Sequence, residues 1–406
     1  MNISFFLAKK IATARQGSFS RFIIRVAIVA VALSTAVMII ASGMIHGFRD
    51  EIQNKVFGFW GDIHIAQYID NDSYENPPVD LHQPFYPDYK KISGIAHIEQ
   101  FATKPGIMRS GDQMDGVVLK GIGPDFDSSF LKQYLVEGKL IRPSDTSAEK
   151  NICISQMTAS RLKLKTGDRP YLYFFGEEQK IRRVNVCGIY KTGLEDYDKT
   201  FVLCDIRFIR QLNKWNDEQT GGFEVLLKNR DSMDLVASQI NRMSTDTAML
   251  AQTIRQVYPN IFDWLDLQQG NETVILSLMI IVAVINMITA LLILILERTR
   301  MIGTISALGL RGRKIRSVFL YHAAYIAGFG ILIGDLIGIG LGLAQHYFHL
   351  LKLPEESYYL SYAPFNFEPL TILLLNLATL LVCVVGLIGP SWLASRIRIV
   401  KALRFS

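Results

Sequence analysis

Few residues of this 406-residue chain carry the types and spacing that chemistry demands. His346 and His349 lie three apart, which would put two imidazoles on one face of a helix. Two ligands without a third nearby are a poor metal site, and a helix end at a membrane interface is the plainer reading. Glu195, Asp196 and Asp198 gather in the run TGLEDYD, where a carboxylate pair for acid–base work is conceivable. Gly and Asp in so short a run are more the composition of a solvated turn. Cys153, Cys187 and Cys204 fall in strand-like runs. A disulfide in an oxidising compartment and buried free thiols both fit them. The chain has no G-x-x-x-x-G-K-[ST] loop to cradle phosphate, no H-E-x-x-H and no C-x-x-C. The expectation is therefore no catalytic residue, no metal and no cofactor on this chain.

The elements around these residues are dominated by four apolar blocks: Val26–Ile45, Val274–Leu296, Val318–Leu343 and Leu370–Leu393. Each is long enough to cross about 30 Å of hydrocarbon at roughly 1.5 Å per residue. An ordinary soluble enzyme, a disordered chain and a disulfide-stapled mini-domain are excluded by that distribution. The first block follows Arg15, Arg21 and Arg25, as a signal peptide would, but it exceeds the length of a cleavable apolar core. It is read as a retained span.

Orientation follows from Lys and Arg. Residues 1–25, 297–318 and 396–406 are rich in them and nearly free of acid, while the remainder of the chain is net acidic. The positive-inside rule places those three segments in the cytoplasm. The overall charge of +6 is thus a mark of topology, not of nucleic-acid binding. The expected plan is an α-helical membrane protein with four transmembrane helices in a 1+3 order and a large extracytoplasmic α+β domain between spans one and two. Its segments are a cytoplasmic start (1–25), span one (26–45), a periplasmic domain with a helical stalk (46–272), span two (273–296), a cytoplasmic coupling segment (297–317), span three (318–343), a periplasmic loop (344–369), span four (370–393) and a cytoplasmic tail (394–406).

Within the outer domain, Ile45, Phe48, Ile52 and Val56 continue the helical period beyond span one, predicting a stalk. Strands are predicted at Ile63–Tyr68, Ile98–Ile107, Met114–Gly121, Asn151–Ser155, Tyr171–Phe175, Arg182–Tyr190, Phe201–Cys204 and Phe223–Leu227. Helices are predicted at Pro87–Ile92, Asp125–Leu135, Gln156–Leu162, Asp205–Leu212 and Ser232–Ser244, with room for two subdomains.

Two motifs carry more information. In span three, Gly330, Gly334, Gly338 and Gly342 repeat every four residues, so one helix face is bare enough for close helix packing. Asp335 sits beside that face, where a carboxylate is costly and must face the bundle or water. Between spans two and three, Met301, Ile302, Ile305 and Leu308 form an apolar stripe flanked by basic residues. It fits a helix in the lipid headgroups or a short helix seated in a cleft of a cytosolic partner.

That segment, ERTRMIGTISALGLRG, resembles the coupling motif of the FtsX/MacB-like ABC-transporter permeases, with Arg298, Ile302, Gly303, Ile305, Ala307, Leu308 and Gly309 in place and Met301 where an acid is usual. The tail from Pro390 to Arg404 is similar to that family's ending. Within the family, Phe5–Ala8, Gly47–Ile52, Gly58–Ile63, Leu119–Ile122, Val136–Gly138, Ile154–Gln156, Leu164–Asp168, Val186–Tyr190, Asp196–Asp198, Asn260–Leu265 and Tyr362–Pro364 resemble, in order, the LolC/LolE lipoprotein-releasing branch. The turn Phe175–Lys180 is short where LolC-type subunits carry an extended hook.

The resemblance implies a MacB-like periplasmic core and an FtsX-like permease domain over residues 272–400. It implies a cytosolic ABC ATPase dimer that holds the ATP and Mg, a second permease chain (the same or homologous), lipoprotein cargo, a periplasmic lipoprotein carrier and contact with membrane lipids, with no nucleic acid. ATPase coupling falls to Glu297, Arg298, Met301, Ile302, Ile305, Leu308 and Gly309. A lipid cavity between spans one and two falls to Met38, Ile45, Phe48, Ile281 and Ile285. A cell-wall-hydrolase regulator of the FtsX type and a MacB-type exporter of peptides or lipids are the rival expectations, and an enzyme the weakest.

Overall fold

The computed structural model of the chain describes residues 18–68, 73–89, 92–143, 149–175, 179–244, 248–310, 312–354 and 358–395. In order, the elements are α1 (Ser18–Trp60), β1 (Ile63–Gln67), β2 (Val79–Asp80), β3 (Ile95–Ser110), β4 (Gln113–Ile122), α2 (Ser129–Gln133), β5 (Leu135–Gly138), β6 (Asn151–Ser155), α3 (Gln156–Leu162), β7 (Tyr171–Phe174), β8 (Lys180–Arg183) and β9 (Asn185–Tyr190). There follow α4 (Glu195–Thr200), β10 (Phe201–Asp205), α5 (Ile206–Asn213), β11 (Gln219–Thr220), β12 (Gly222–Leu227), α6 (Met233–Met243), β13 (Met249–Thr253) and α7 (Ile254–Val257). The last helices are α8 (Pro259–Glu297), α9 (Thr299–Ala307), α10 (Gly312–Phe348), α11 (Pro369–Gly386) and α12 (Ile388–Ser395).

Two compact units result. One holds residues 1–49, 264–352 and 362–406, the other residues 50–263 with 353–361. In the first, α1, α8, α10 and the α11–α12 pair are long and apolar enough to cross a membrane. α8 and α10 overrun their apolar blocks at both ends, and α1 continues to Trp60 as the helical period of the stalk requires. The break between α11 and α12 has a covalent cause: Pro390 has no N–H to offer the carbonyl of Gly386.

The second unit is built on an eleven-stranded mixed sheet in the order β13-β1-β12-β3-β4-β10-β6-β9-β5, with β7 on β3 and β8 on β7. One sheet runs through the unit where the sequence leaves room for two subdomains. Most pairs are antiparallel, but β10 runs parallel to β4 and β6 to β9. Helices α3 and α5 cover one side of it with Leu162, Phe208, Ile209 and Leu212 against Leu119, Ile154, Val186 and Val202. Helix α5 is closed at its start by Asp205, whose carboxylate accepts from Arg207 N at 2.9 Å.

Several sequence expectations change. Of the expected helix Pro87–Ile92, residues 90 and 91 lie outside the described residues and the rest forms no α-helix, and Asp125–Leu135 contributes only the short α2. Arg182–Tyr190 is two strands, and β5 and β13 are additions. Asp198 is not in a solvated turn. It is buried, accepting from Thr192 Oγ1 at 2.8 Å and Gly193 N at 3.0 Å, so it ties the turn before α4 from inside.

The end of α1 shows why the run Gly58-Phe-Trp-Gly-Asp-Ile63 has its composition. A side chain at Gly58 would collide with the ring of Phe130. Gly61 takes φ +73°, open to glycine at little cost, and returns its N–H to Phe57 O at 2.8 Å. Asp62 then accepts from Leu227 N at 2.6 Å and pairs with Arg230 Nε at 3.1 Å. No basic residue lies in the last turn of α1. The cation for that helix end comes from β4: the buried Lys120 donates to Phe59 O and lies 4.3 Å from the Trp60 ring centroid.

Lys120 also meets Glu224 at 2.9 Å, and Glu224 stands directly opposite Glu99 across β12 and β3. Burial, then the neighbouring Glu224 carboxylate, holds the carboxyl of Glu99 well above its usual range. The same burial and Lys120 push His64 down to about 3, so its imidazole is neutral. One cation thus stands beside two opposed acids, and burial with Glu224 favours the protonated form of Glu99. A carboxyl raised in the folded state favours folding below its unfolded value and loses that contribution as pH rises through the folded one. The thermal midpoint of the outer domain, followed by tryptophan fluorescence, should therefore fall from mildly acidic to mildly alkaline pH, and Glu99→Gln should flatten that slope. Lys120→Met should destabilise by about 3–5 kcal/mol, because it leaves buried acid without its cation.

Candidate functional site

The candidate site lies in the helical unit and starts from the glycine face of α10. Cβ atoms added at Gly330, Gly334 and Gly338 would stand 2.8, 2.6 and 3.0 Å from the Cβ atoms of Val31, Thr35 and Ile39 on α1. Real Cβ atoms do not come as close as the first two and seldom as close as the third, so α10 touches α1 backbone to backbone. One turn on, the ring of Phe365 fills the space over Gly342 and over Gly43 of α1. Asp335, beside this face, accepts from Asn376 Nδ2 of α11 at 2.9 Å.

Helix α1 also lies along α8. Toward one end of that contact Ser42 Oγ donates to Glu272 at 2.7 Å, and Arg49 donates to Gln269 at 2.9 Å. Toward the other end an apolar groove of about 320 Å³ is lined by Phe22, Val26 and Ala30 of α1 and Asn286, Thr289 and Ile293 of α8. Of the residues expected to line a lipid cavity, Ile281 and Ile285 are 53% and 56% exposed on α8, and Ile45 and Phe48 are half-buried. Met38 is only 1% exposed and packs inside the unit, so it lines no open cavity.

The segment after α8 is a nearly continuous turn into α9. Arg298 leaves helical geometry at ψ 14°, and Thr299 Oγ1 donates back to Leu296 O at 2.6 Å. At the far end Leu310 N bonds Ile305 O at 3.2 Å and Gly309 N bonds Ser306 O at 3.0 Å, with Gly309 at φ +90°. That is a Schellman close, and it gives Gly309 a backbone reason to be glycine. Leu310 and Ile305 line one small apolar pocket with Met301, Ile315 and Phe319, the contact that accompanies such a close.

This geometry corrects the single docking stripe expected of Met301, Ile302, Ile305 and Leu308. Ile302 is 2% exposed in the helical core, whereas Leu308 is 82% exposed. Six residues at about 100° each put the two some 120° apart around the helix, so one side faces the core and the other does not. Met301 and Ile305 are half-buried between them, Arg298 is half-buried, and Glu297 and Gly309 are exposed. The outward surface of α9 is Arg300, Thr304 and Ala307, with Leu308 exposed just past its last turn. Exposure of this kind leaves no trace in a periodic pattern, which marks apolar positions without saying which ones the chain itself covers. The start 1–17, Arg311, residues 176–178 of the short turn and the tail 396–406 lie outside the described residues. Among the described residues no group of three or more His, Cys, Asp or Glu could hold a metal.

The MacB-like periplasmic core domain matches residues 26–243, and the FtsX-like permease C-terminal domain matches residues 273–399. The chain belongs to the FtsX-like permeases that carry a MacB-like periplasmic core. It is 21% identical to the lipoprotein-releasing system transmembrane protein LolC of Xylella fastidiosa over 96% of both chains. The LolC of Neisseria meningitidis is as similar, again at 21% over 96% of each. LolE of Haemophilus influenzae is 17% identical over 99% of both. Among solved structures, the extracellular domain of the ABC-type transporter YknZ aligns with 47% of this chain and 99% of its own at TM-score 0.35 and 16% identity. The periplasmic region of MacB from Actinobacillus actinomycetemcomitans covers 49% of this chain and 91% of its own at TM-score 0.36 and 11% identity. The family is that of ABC-transporter permeases, a transport subunit, and this member pairs membrane-spanning helix candidates with a periplasmic-type domain.

The close contact of α10 with α1 should resist enlargement. Gly334→Leu should lower the thermal midpoint of the detergent-solubilised protein by the equivalent of about 1–3 kcal/mol, the usual cost of overpacking. Gly328→Leu on the same helix is the control, since nothing stands within 4 Å of a Cβ there. Equal midpoints for the two variants would refute the contact.

Proposed function

We propose that this chain is a permease subunit of an ABC transporter that uses a separate ATPase to lift lipoproteins out of the inner membrane and pass them to a periplasmic carrier. The observation that carries the reading is likeness to lipoprotein-releasing permeases along 96% of the chain, over both the helical unit and the outer domain. The proposed orientation has both termini in the cytoplasm, four passes and residues 47–272 in the periplasm, as the Lys and Arg asymmetry requires. ATP and Mg belong to the ATPase dimer. A second permease chain, identical or homologous, completes the membrane part.

The division of labour follows physical need. Acyl chains cost about 0.8 kcal/mol per CH₂ to expose to water, so cargo must move under cover and against an energy source. The apolar groove between α1 and α8, continued by the exposed Ile281 and Ile285, supplies cover of the right polarity. The outward tip of α9 supplies a hydrophobic anchor, Leu308, for a cytosolic cleft. In the outer unit, a cleft of about 500 Å³ beside β7 and β8, lined by Lys104, Phe174, Phe175, Lys180 and Trp215, is the surface proposed for the carrier.

The tip and the buried face of α9 give separable outcomes. Leu308→Asp should leave thermal stability unchanged and remove an anchor of about 2 kcal/mol, lowering ATPase affinity roughly 30-fold in copurification. Ile302→Asp should instead destabilise the helical unit itself, because it buries a charge. A Leu308→Asp protein that retains its full complement of ATPase and releases lipoprotein on ATP addition would overturn the coupling role.

A further inference from the structure

Two of the three cysteines left open by the sequence lie side by side in the outer unit. Cys153 and Cys187 sit on the neighbouring parallel strands β6 and β9 with their sulfurs 3.5 Å apart. The register explains the approach. Ile152 pairs with Val186 but Cys153 with Gly188, so the ladder skips Cys187 and makes it the bulged residue. Glycines clear the space: a Cβ at Gly188 would stand 3.3 Å from the Cys153 sulfur, and one at Gly138 on β5 would collide with Cys187 O. The two thiols are not alike. Cys153 is fully buried, whereas Cys187 is partly exposed and open to a reagent from outside.

We propose that Cys153 and Cys187 are a modification site: an intramolecular disulfide formed by exchange with a protein disulfide oxidant in the oxidising space outside the inner membrane. The proposal rests on the outside placement of residues 47–272 and goes beyond the transport role. The exposed Cys187 thiolate attacks one sulfur of the oxidant's disulfide, breaking that bond and forming a mixed disulfide. Cys153 then loses its proton and attacks the Cys187 sulfur, and the oxidant leaves as a dithiol. Two electrons and two protons pass from the cysteine pair to the oxidant. The order of attack agrees with the hydrogen bond between the sulfurs, which lowers Cys187 from its ordinary value while that bond and burial raise Cys153. The bond would span 34 residues of sequence and tie the base of the excursion that carries α3, β7 and β8.

The test uses the full chain. Membranes are quenched in acid, free thiols are blocked with N-ethylmaleimide, and unreduced peptides are mapped by mass spectrometry. A Cys153–Cys187 peptide pair lacking two hydrogens is the expected result. The purified, reduced protein given excess oxidised glutathione should close the same pair. Cys153→Ser should accumulate glutathione on Cys187, and Cys187→Ser should take up at least tenfold less at position 153. Equal circular dichroism of the Ser variants shows that the fold is retained. Both thiols remaining alkylatable in excess oxidised glutathione, or a bond to Cys204 instead, would overturn the proposal. A pair that closes when purified but is reduced in cells overturns the oxidised state in vivo and counts against the outside placement. Loss of ATPase coupling alone would leave the disulfide standing.

Discussion

The ammonium of Lys120 answers two unsatisfied demands at one point of the outer unit and sits beside a third. The last turn of α1 ends on the buried carbonyl of Phe59 with no cation of its own. Glu224 is buried and, among the described residues, its ion pair is with Lys120, while Glu99 stands opposite it on the next strand. Like charges opposed across a ladder repel, and a buried ion without a partner is costly. Lys120 donates to the carbonyl and pairs with Glu224, while burial and Glu224 raise the second acid, Glu99, toward its protonated form. The rings of Phe59 and Trp60 take up the remaining face of the cation at 4.7 and 4.3 Å. The order of the central strands β1, β12, β3 and β4 is thus tied to the helix that enters them, because the network draws a residue from each of these strands or packs against it.

In the helical unit the governing constraint is thickness rather than charge. Apolar side chains gain nothing over lipid when they face one another in a membrane, so helices associate where backbones can meet. The glycines of α10 provide that on one side of α1, and polar pairs fix the rest: Asp335 with Asn376 between α10 and α11, Ser42 with Glu272 between α1 and α8. Toward the other end α1 and α8 leave an apolar groove. A helix held by glycine on one side and open on another can lend its free side to a ligand without losing its place.

The sequence made the spans legible because an apolar block of sufficient length has few alternative uses. The run from Gly58 to Ile63 enters the sequence reading only through resemblance, and its physical reason needs the structure: each of Gly58, Gly61 and Asp62 answers one backbone or steric need at the helix end. Other parts were hidden by ambiguity that no pattern resolves. Strand β5 carries no strand signal, because three of its four residues are exposed and none alternates. Asp198 lies in a turn whose composition signals solvent, yet Thr192 and Gly193 satisfy its carboxylate and allow burial. The stripe on α9 was seen, but periodicity could not say that the bundle itself takes Ile302 and leaves Leu308 out. The sulfur contact required a bulge between β6 and β9, and register shifts of one residue are invisible in sequence.

The way α9 is held bears on how well it could couple to a partner. A helix of nine residues is too short to be stable alone. Here Ile302 anchors it to the helical core, and the Schellman close at Gly309 fixes the chain beyond it, with Leu310 returned against Ile305. Leu308 therefore projects from a backbone already ordered on both sides. Docking such a side chain avoids most of the ordering cost that a mobile loop would incur on binding. The residues buried inside and the residue left outside are two halves of one device: without the inward anchor the outward tip would have no defined position, and its apolar surface would collapse onto the bundle or the lipid.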